Sequence, residues 1–301
     1  MRNSWVEIRL NVVCGRCRDH DLATVSAAVA RASVGRCPNY IVVGCLDGSM
    51  GRHRVKATET SFAIIETLVT KQEASLSELT EAVETPQTTV YDHLETLCDL
   101  GYVRKDDGTY RPTLQFLKLG GHVRFDQDLY HVARPKLRQI TEETGEPATL
   151  AVEEDDYAVF VYSTEGEYTT RSTQADGSHT WLHTNALGKV FLAYADRERV
   201  DQLIDDYGLP SNTEHTITDQ NELHRELASI REQGYALDRE EGKLSMQGVA
   251  KPIFSPSNDV IAAVSVYSST RRMRNEEFLE QVLRPLERAV DVIEVDIAHG
   301  V

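Results

Sequence analysis

The sequence predicts an α+β protein with an N-terminal winged helix-turn-helix, a linker helix and a C-terminal domain built on a mainly antiparallel sheet. Helical periodicity runs through residues 58–100, and two short strands around an Asp-Gly turn follow it. Farther along, strands and helices alternate outside the βαβ rhythm, which favours antiparallel pairing. The 301 residues, 41% of them hydrophobic, are enough for two cores. We predict the winged helix-turn-helix over 52–119, the linker over 120–134 and the second domain over 135–301.

Charge and hydropathy exclude a membrane protein. Lys+Arg 32 against Asp+Glu 48 give a net charge of −16, and no apolar run approaches the roughly 18 residues that a membrane helix needs. A secretory apolar region is not found near the N-terminus, so we expect a cytoplasmic protein. Most of the acidic residues lie after residue 120, and carboxylates spread over a surface suit a protein that stays solvated in high salt. We therefore expect a halophilic source.

The first 51 residues differ from the rest in cysteine content. Four of the five cysteines lie there: Cys14, Cys17, Cys37 and Cys45. The first two have the spacing of a zinc-ligand pair, but the other two stand farther apart than a second pair requires. Three interpretations stay open: a segment outside the functional protein, with translation starting at Met50; a disordered or regulatory tail; and a weak metal site. We favour the first, predict no metal or other cofactor, and expect deletion of residues 1–49 to leave the folded domains intact.

Three helices are predicted between residues 58 and 100. The first has a stripe at helical spacing made of Phe62, Ile65 and Val69, with Ile64 and Leu68 beside them. The second starts after Ser75, which with Glu78 matches a capping box. Thr85 and Pro86 match a cap followed by a proline at the first helical position, so a third helix starts at once. Its apolar stripe is Val90, Leu94, Leu97 and Leu100.

Gly101 ends the third helix, and the strands at 102–105 and 109–111 complete a winged helix-turn-helix. In that module the N-terminal half of the third helix enters the major groove and the hairpin reaches the DNA backbone. The alternative is a winged helix that binds only protein, but cations on both sides of a polar helix favour DNA. The candidate phosphate contacts are Arg52, Arg54, Lys56, Arg104, Lys105 and Arg111. The candidate residues on the third helix are Gln87, Thr88, Thr89, Tyr91 and Asp92.

Three segments of this module carry a family resemblance. Residues 57–68, 76–83 and 88–97, closing at Gly101-Tyr-Val, resemble the DNA-binding domain of IclR-type transcriptional regulators. The resemblance implies a double-stranded DNA operator, read as an inverted repeat by a homodimer, and dimers that pair further into tetramers. Many members of the family carry Arg where this chain has Asp92. An aspartate there cannot hold a phosphate, but it accepts from a cytosine amino group or repels wrong sites.

The remaining chain is predicted to contain a linker followed by an α+β domain. The linker is apolar at Leu114, Leu117, Val123 and Leu129, is interrupted by Gly120-Gly121, and gives way to a helix that Pro135 opens. Strands are predicted at 149–152, 157–162, 248–254 and 260–267, with the last two forming a hairpin across 255–259. Helices are predicted at 186–194, 197–204, 221–233 and 276–297.

Residues 182–193, 234–241 and 248–253 resemble the effector-binding and oligomerisation domain of the same family. Thr184 or Asn185 can cap the helix at 186–194 so that the first amides face open space and hold a small carboxylate. The alternative is a structural cap without a ligand. Carrying the family's site over by position gives Ala186, Leu187, Gly188, Asp238, Met246, Gly248 and Ser265. We expect a small anionic effector: a short organic acid, a sugar acid or an aromatic carboxylate.

Two other classes of protein compete with a regulator. An enzyme is disfavoured because the chain has no His-Glu-x-x-His, Gly-x-Ser-x-Gly, Walker lysine loop or Gly-x-Gly-x-x-Gly motif. A ligand-sensing interaction protein with a decayed DNA-binding module is suggested by Asp92, Glu95 and Asp99 on the third helix. The sequence therefore predicts a DNA-binding regulator whose operator affinity a small anionic metabolite modulates.

Overall fold

The computed structural model describes residues 55–125, 128–167 and 176–300. Its N-terminal module runs in the order α1 (Lys56–Lys71), β1 (Ala74–Ser75), α2 (Leu76–Ala82), α3 (Gln87–Asp99), β2 (Val103–Asp106) and β3 (Thr109–Pro112). The predicted helices and hairpin are confirmed. The strand β1 was not predicted; it pairs antiparallel with β3 and makes a sheet of order β1-β3-β2. The module is a winged helix-turn-helix.

One hydrophobic core holds the three helices of the module to the hairpin. Its buried members are Ile64, Leu68, Ala74, Leu79, Val90, Leu94, Leu97, Val103 and Tyr110. The predicted stripe of α1 is partly wrong, because Ile64 and Leu68, one turn apart, face the core and leave Phe62 and Val69 58% and 56% exposed. Leu100 is also exposed, since α3 ends at Asp99 and the stripe does not continue past it.

The two predicted helix starts have different outcomes. The capping box before α2 is confirmed: the Ser75 hydroxyl accepts from the Glu78 amide at 3.3 Å, and the Glu78 carboxylate accepts from the Ser75 amide at 2.8 Å. The cap at Thr85 is wrong by one residue, since Pro86 is the N-cap and α3 begins at Gln87. The Thr85 hydroxyl donates to the Val83 carbonyl at 3.0 Å and so serves the end of α2.

Two helices, α4 (Gln115–Phe125) and α5 (Asp128–Thr144), follow the module. The expected interruption at Gly120-Gly121 is wrong, because both glycines lie inside α4. The expected helix start at Pro135 is also wrong, because this proline lies inside α5. A proline inside a helix removes one backbone hydrogen bond and costs about 3 kcal/mol. The helix continues through Pro135 because the stripe of buried residues lies on both sides of it, and their burial outweighs this cost. That stripe is Tyr130, Ala133, Leu137 and Ile140.

The C-terminal domain contains a six-stranded sheet of order β6-β5-β4-β9-β8-β7 within the described residues. Its strands are β4 (Ala148–Glu154), β5 (Tyr157–Ser163), β6 (His179–Trp181), β7 (Ala236–Arg239), β8 (Met246–Phe254) and β9 (Val260–Ser269). Every neighbouring pair is antiparallel, which confirms the predicted sheet type and the β8–β9 hairpin. The two short edge strands, β6 and β7, were not predicted.

Helices cover both faces of this sheet. They are α6 (Ala186–Tyr194), α7 (Arg197–Tyr207), α8 (Gln220–Gln233), α9 (Thr270–Met273) and α10 (Glu276–His299), and a 3-10 turn at Leu182–Thr184 leads into α6. One core packs α5 and α10 on one face. A second core packs α6 and α8 on the other, where the sheet presents small residues such as Ala250 and Ala263. In the described part of the chain, no helix combines the length and apolarity that crossing a membrane requires.

Candidate DNA-binding surface and effector site

The first turns of α3 form an exposed polar surface. Gln87, Thr88, Tyr91 and Asp92 are exposed, and Thr89 is half-buried. The residues that anchor the helix, Val90 and Leu94, point away from these side chains into the core. The helix is therefore held by one face and offers the opposite one to a partner.

The hairpin β2–β3, called the wing below, supplies cations beside this surface. Arg104 and Lys105 are exposed on β2, and Arg104 lies opposite Arg111 of β3. Arg111 is ion-paired with Asp106, which neutralises part of its charge. Lys105 lies over the ring of Tyr110, with its Nζ 5.4 Å from the ring centre, and also approaches Tyr91 at 6.0 Å.

The remaining candidate cations lie before the wing in sequence. Lys56 is exposed at the start of α1. Arg52 and Arg54 lie outside the described residues, as do the four N-terminal cysteines. Among the residues that the structure describes, no group of three or more His, Cys, Asp or Glu side chains could hold a metal ion.

The start of α6 is closed, and the expectation of open amides there is wrong. Ala186 and Leu187 are fully buried, and Gly188 is buried as well. Asn185 is the N-cap, which confirms one of the two predicted alternatives. Its side-chain oxygen accepts from the Gly188 amide at 3.0 Å. The Ala186 backbone also faces the hydroxyl of Tyr267 on β9.

The other predicted site residues lie around the same helix start. Asp238 of β7 lies opposite Gly248 of β8, which in turn lies opposite Tyr267 of β9. The Tyr267 hydroxyl faces the Asp238 carboxylate. Ser265 is buried two residues before Tyr267 on the same face of β9, whereas Met246 is half-buried at the start of β8.

Of the charged residues at this site, the sequence predicted Asp238 but not Lys189, Glu226 and Glu241. Lys189 is fully buried in α6, and its Nζ lies 2.7 Å from Glu241 Oε1 and 2.9 Å from Glu226 Oε1. Asp238 accepts from the Glu241 amide at 2.8 Å and so fixes the turn that carries Glu241. The sequence does contain a signal for this ion pair, which is a lysine at the fourth position of an apolar helix. A cation that is buried with such a helix requires a carboxylate partner.

Profiles of two protein families match this chain. The profile described as "IclR helix-turn-helix domain" matches residues 57–107. The profile described as "Bacterial transcriptional regulator IclR C-terminal" matches residues 122–295. The chain belongs to the IclR family of transcriptional regulators. As an IclR-family protein it is a DNA-binding regulator with an effector-binding domain, and the enzyme alternative is set aside.

Known IclR-family proteins resemble the chain over most of its length. It is 31% identical over 240 residues to the HTH-type transcriptional regulator KdgR of Escherichia coli (strain K12), covering 79% of this chain and 91% of that protein. The crystal structure of Thermotoga maritima IclR aligns with a TM-score of 0.69 at 27% identity, covering 81% of this chain and 97% of that one. An IclR homologue from Microbacterium hydrocarbonoxydans complexed with 4-hydroxybenzoate aligns with a TM-score of 0.70 at 23% identity, covering 81% and 99%.

The pKa of Asp238 gives this IclR-family protein a specific pH dependence. Burial, and then the neighbouring Glu241, raise the pKa of Asp238 from 3.8 to about 7, against the opposing effect of the Glu241 amide and Lys189. The native carboxyl therefore holds its proton more tightly than the unfolded chain does. Its stabilising contribution is present in full below about pH 4 and is lost as the pH rises towards 7.

We expect Asp238→Asn to become more stable relative to the wild type as the pH rises from about 5 to about 8, by at least about 1 kcal/mol. The amide does not titrate, and its oxygen still accepts from the Glu241 amide. Urea unfolding of both proteins at the two pH values measures the difference, and Asp205→Asn, at an exposed position, serves as control. A difference that stays constant with pH, as expected for the control, would contradict the shift.

Proposed function

We propose that this regulator binds a specific double-stranded operator and that a small organic acid at the start of α6 changes its operator affinity. The DNA-binding half rests on one observation: the exposed first turns of α3 lie next to the exposed cations of the wing. Mobility shifts with genomic fragments at low and high salt test it. If no fragment shifts at either concentration, the alternative of a ligand-sensing protein with a decayed DNA-binding module replaces it.

The mobility shifts need two salt concentrations because the protein is strongly acidic. Asp+Glu 48 against Lys+Arg 32 gives the whole chain a charge of the same sign as DNA. Salt weakens the attraction of wing cations for phosphate, and it also screens the repulsion between DNA and the rest of the protein. The excess of carboxylates supports a regulator adapted to high salt, in which this repulsion is largely screened.

The wing and α3 are expected to contribute differently to operator binding. Arg104→Ala should weaken binding to all sequences alike and reduce the slope of log affinity against log salt by roughly one, because Arg104 contacts phosphate. Arg111→Ala should have a smaller effect, since Asp106 already neutralises part of its charge. Thr88→Ala should instead change which sequence is preferred. Mobility shifts on the operator, a mutated operator and unrelated DNA measure all three.

A change of sequence preference in Arg104→Ala would contradict the phosphate assignment. Glu73→Ala is a suitable control, because Glu73 is exposed on the same module but belongs to neither α3 nor the wing. If Thr88→Ala loses the same affinity for every DNA, Thr88 does not distinguish bases, and the role of α3 in base recognition is rejected. Lys105→Ala is less informative, since Lys105 also packs against Tyr91 and Tyr110.

The regulator binds its operator as a symmetric dimer in this proposal. Exposed apolar side chains on α4 and α1 support it: Leu117, Leu119, Val123, Phe125, Phe62 and Val69. No described residue of α4 is buried, so a second copy of the chain provides the surface that an amphipathic helix requires. Footprinting should protect both halves of an inverted repeat. Protection of a single half-site would reject the dimer, and pairing of dimers into tetramers is tested by sedimentation.

The effector is a small anion in this proposal. The N-terminus of α6 is positive by its dipole, which favours a negatively charged group near it. A similar fold in the Microbacterium hydrocarbonoxydans homologue holds 4-hydroxybenzoate, which supports a small aromatic acid as one candidate. Calorimetry against short organic acids, sugar acids and aromatic carboxylates tests the class. Ser265→Val should weaken the acid that binds, whereas Ser257→Val on the exposed hairpin turn should not.

Coupling between the two domains runs through the linker. Arg124 at the end of α4 is ion-paired with Asp176, which also accepts from the Ser163 amide at 3.1 Å, so α4 is joined to the sheet domain. Gly120 and Gly121 give the middle of α4 a weak helical preference, about 1 kcal/mol per residue below alanine. The hinge lies at these glycines in this proposal, so that α4 adopts two arrangements, one on each side of the hinge motion. Effector binding changes operator affinity only if the two arrangements bind the effector with different affinities.

A further inference from the structure

Tyr267 lies directly on Gly248. The two residues are opposite each other on β9 and β8. A Cβ atom at position 248 would lie 2.5 Å from Cε1 and 2.7 Å from Cζ of the Tyr267 ring. Ordinary contacts between carbon atoms are near 3.5–4.0 Å, so the ring occupies its place only because residue 248 has no side chain.

The Tyr267 hydroxyl faces two polar groups at the end of this ring. They are the Ala186 amide, at the first turn of α6, and the Asp238 carboxylate. Burial raises the pKa of Tyr267 above its usual value, so the phenol stays neutral. The tyrosine thus occupies the position at which the anion of an effector was expected.

The surface under the helix start is made of small residues. Gly248, Ala250, Ala263 and Ser265 are all buried on the sheet face that α6 covers. The Ser265 hydroxyl is buried without a hydrogen-bond partner among the described residues, and a buried hydroxyl that is left unpaired destabilises the folded protein. Tyr267 as a whole residue is half-buried, so it lies at the edge of the domain interior.

We infer that Tyr267 is an internal occupant of the effector site, which the effector displaces when it binds. This inference rests on the proposed function. The ring leaves the space above Gly248, the effector takes its place beside Ala186 and Asp238, and the Ser265 hydroxyl gains a partner. Effector affinity is then set by competition, because the competent state is populated only when the tyrosine has moved out.

The two polar groups that face the phenol also define the effector chemistry. A group that replaces the phenol must accept from the Ala186 amide and donate to the Asp238 carboxylate, and a hydroxyl does both. A carboxylate at the same point would face Asp238 and Glu241 and would be repelled by both. The effector is therefore a small hydroxylated acid that directs its hydroxyl to Asp238 and its carboxylate elsewhere.

The experiment uses probes that copy the displaced side chain. In Tyr267→Ala, p-cresol has the same phenol ring that the substitution removes, and toluene lacks only the hydroxyl. We expect p-cresol to raise the melting temperature of Tyr267→Ala, toluene to raise it less, and neither to affect the wild type. By calorimetry, 4-hydroxybenzoate should bind Tyr267→Ala about tenfold or more tightly than the wild type, since the tyrosine ring and its hydroxyl no longer compete for the site. Benzoate should bind more weakly than 4-hydroxybenzoate.

A second variant covers the case in which Tyr267→Ala does not fold. Tyr267→Phe keeps the ring over Gly248 and loses the hydroxyl that faces Ala186 and Asp238, so 4-hydroxybenzoate should bind it more tightly than the wild type. The inference would be overturned if the folded variant binds 4-hydroxybenzoate with the affinity of the wild type and does not prefer it over benzoate.

Operator binding separates this failure from failure of the proposed function. We expect p-cresol to change the operator affinity of Tyr267→Ala back towards that of the wild type. If p-cresol stabilises this variant but neither the substitution nor the probe changes operator affinity, the site is not the effector site, and the displacement inference falls with it. If 4-hydroxybenzoate changes the operator affinity of the wild type while its affinity is the same in all variants, the effector site stands and only the role of Tyr267 is rejected.

Discussion

Replacing Lys189 with methionine is expected to lower the free energy of unfolding by about 3–5 kcal/mol, because the change leaves a buried carboxylate without its cation. The lysine is fully buried between Glu241 and Glu226. Glu226 has a second cation nearby, Arg239, whose Nη1 lies 3.8 Å away. Glu241 is only 5% exposed, and its other carboxylate oxygen has no partner in the described part of the chain. Urea unfolding at constant salt measures the loss.

Two further variants identify its cause. Lys251 makes an ion pair of 3.1 Å with the half-exposed Glu287, and Lys251→Met should cost no more than about 1 kcal/mol. Adding Glu241→Gln to Lys189→Met should restore part of the stability, because the amide removes the unpaired charge. If Lys189→Met costs no more than Lys251→Met, the buried pair does not stabilise the domain in the way its geometry indicates.

Local signals in the sequence were sufficient for the winged module. Ser75 and Glu78 are three residues apart, and a capping box involves no other part of the chain. Asp107 and Gly108 both adopt positive φ, at 44° and 86°, as the predicted two-residue turn requires. Each of these features is decided by neighbours in sequence, so periodicity and turn chemistry could locate them.

The closed effector site could not be predicted, because it depends on strand register. A hairpin that continued without interruption from its turn at 255–259 would place Val266 opposite Gly248. The structure contains a β-bulge after Ile253, and this one-residue shift places Tyr267 there instead. A shift of one residue exchanges the two faces of a strand, so the bulge decides whether a valine or a tyrosine covers the start of α6.

The buried ion pair of Lys189 and the exposed apolar residues of α1 could not be predicted either, because both depend on how the elements pack together. Lys189 and Glu241 are 52 residues apart, and only the packing of α6 against the sheet brings them together. On α1, Phe62 and Val69 follow helical spacing as well as Ile64 and Leu68 do, so periodicity alone could not decide which pair faces the core. The exposed pair retains its apolar surface, which the dimer proposal explains.

Leu117→Glu is expected to separate the dimer and to lower operator affinity by about a hundredfold or more. Leu117 is 64% exposed on α4, a helix without a buried described residue, and a carboxylate there cannot be buried against a second copy. A dimer that contacts two half-sites gains about 10²–10⁴-fold over one winged module, because the second contact is made at high effective concentration. Sedimentation and mobility shifts measure the two quantities on the same samples.

The matched control is Leu244→Glu, at a leucine 51% exposed in the sheet domain, before β8. Both variants add one carboxylate to a chain of net charge −16, so nonspecific repulsion from DNA is equal in the two. Only Leu117→Glu should shift the sedimentation of the protein towards the monomer and lose affinity for the full inverted repeat, while affinity for an isolated half-site stays the same. A dimer that persists in Leu117→Glu would exclude α4 from the interface, and equal losses in both variants would trace the effect to charge rather than to assembly.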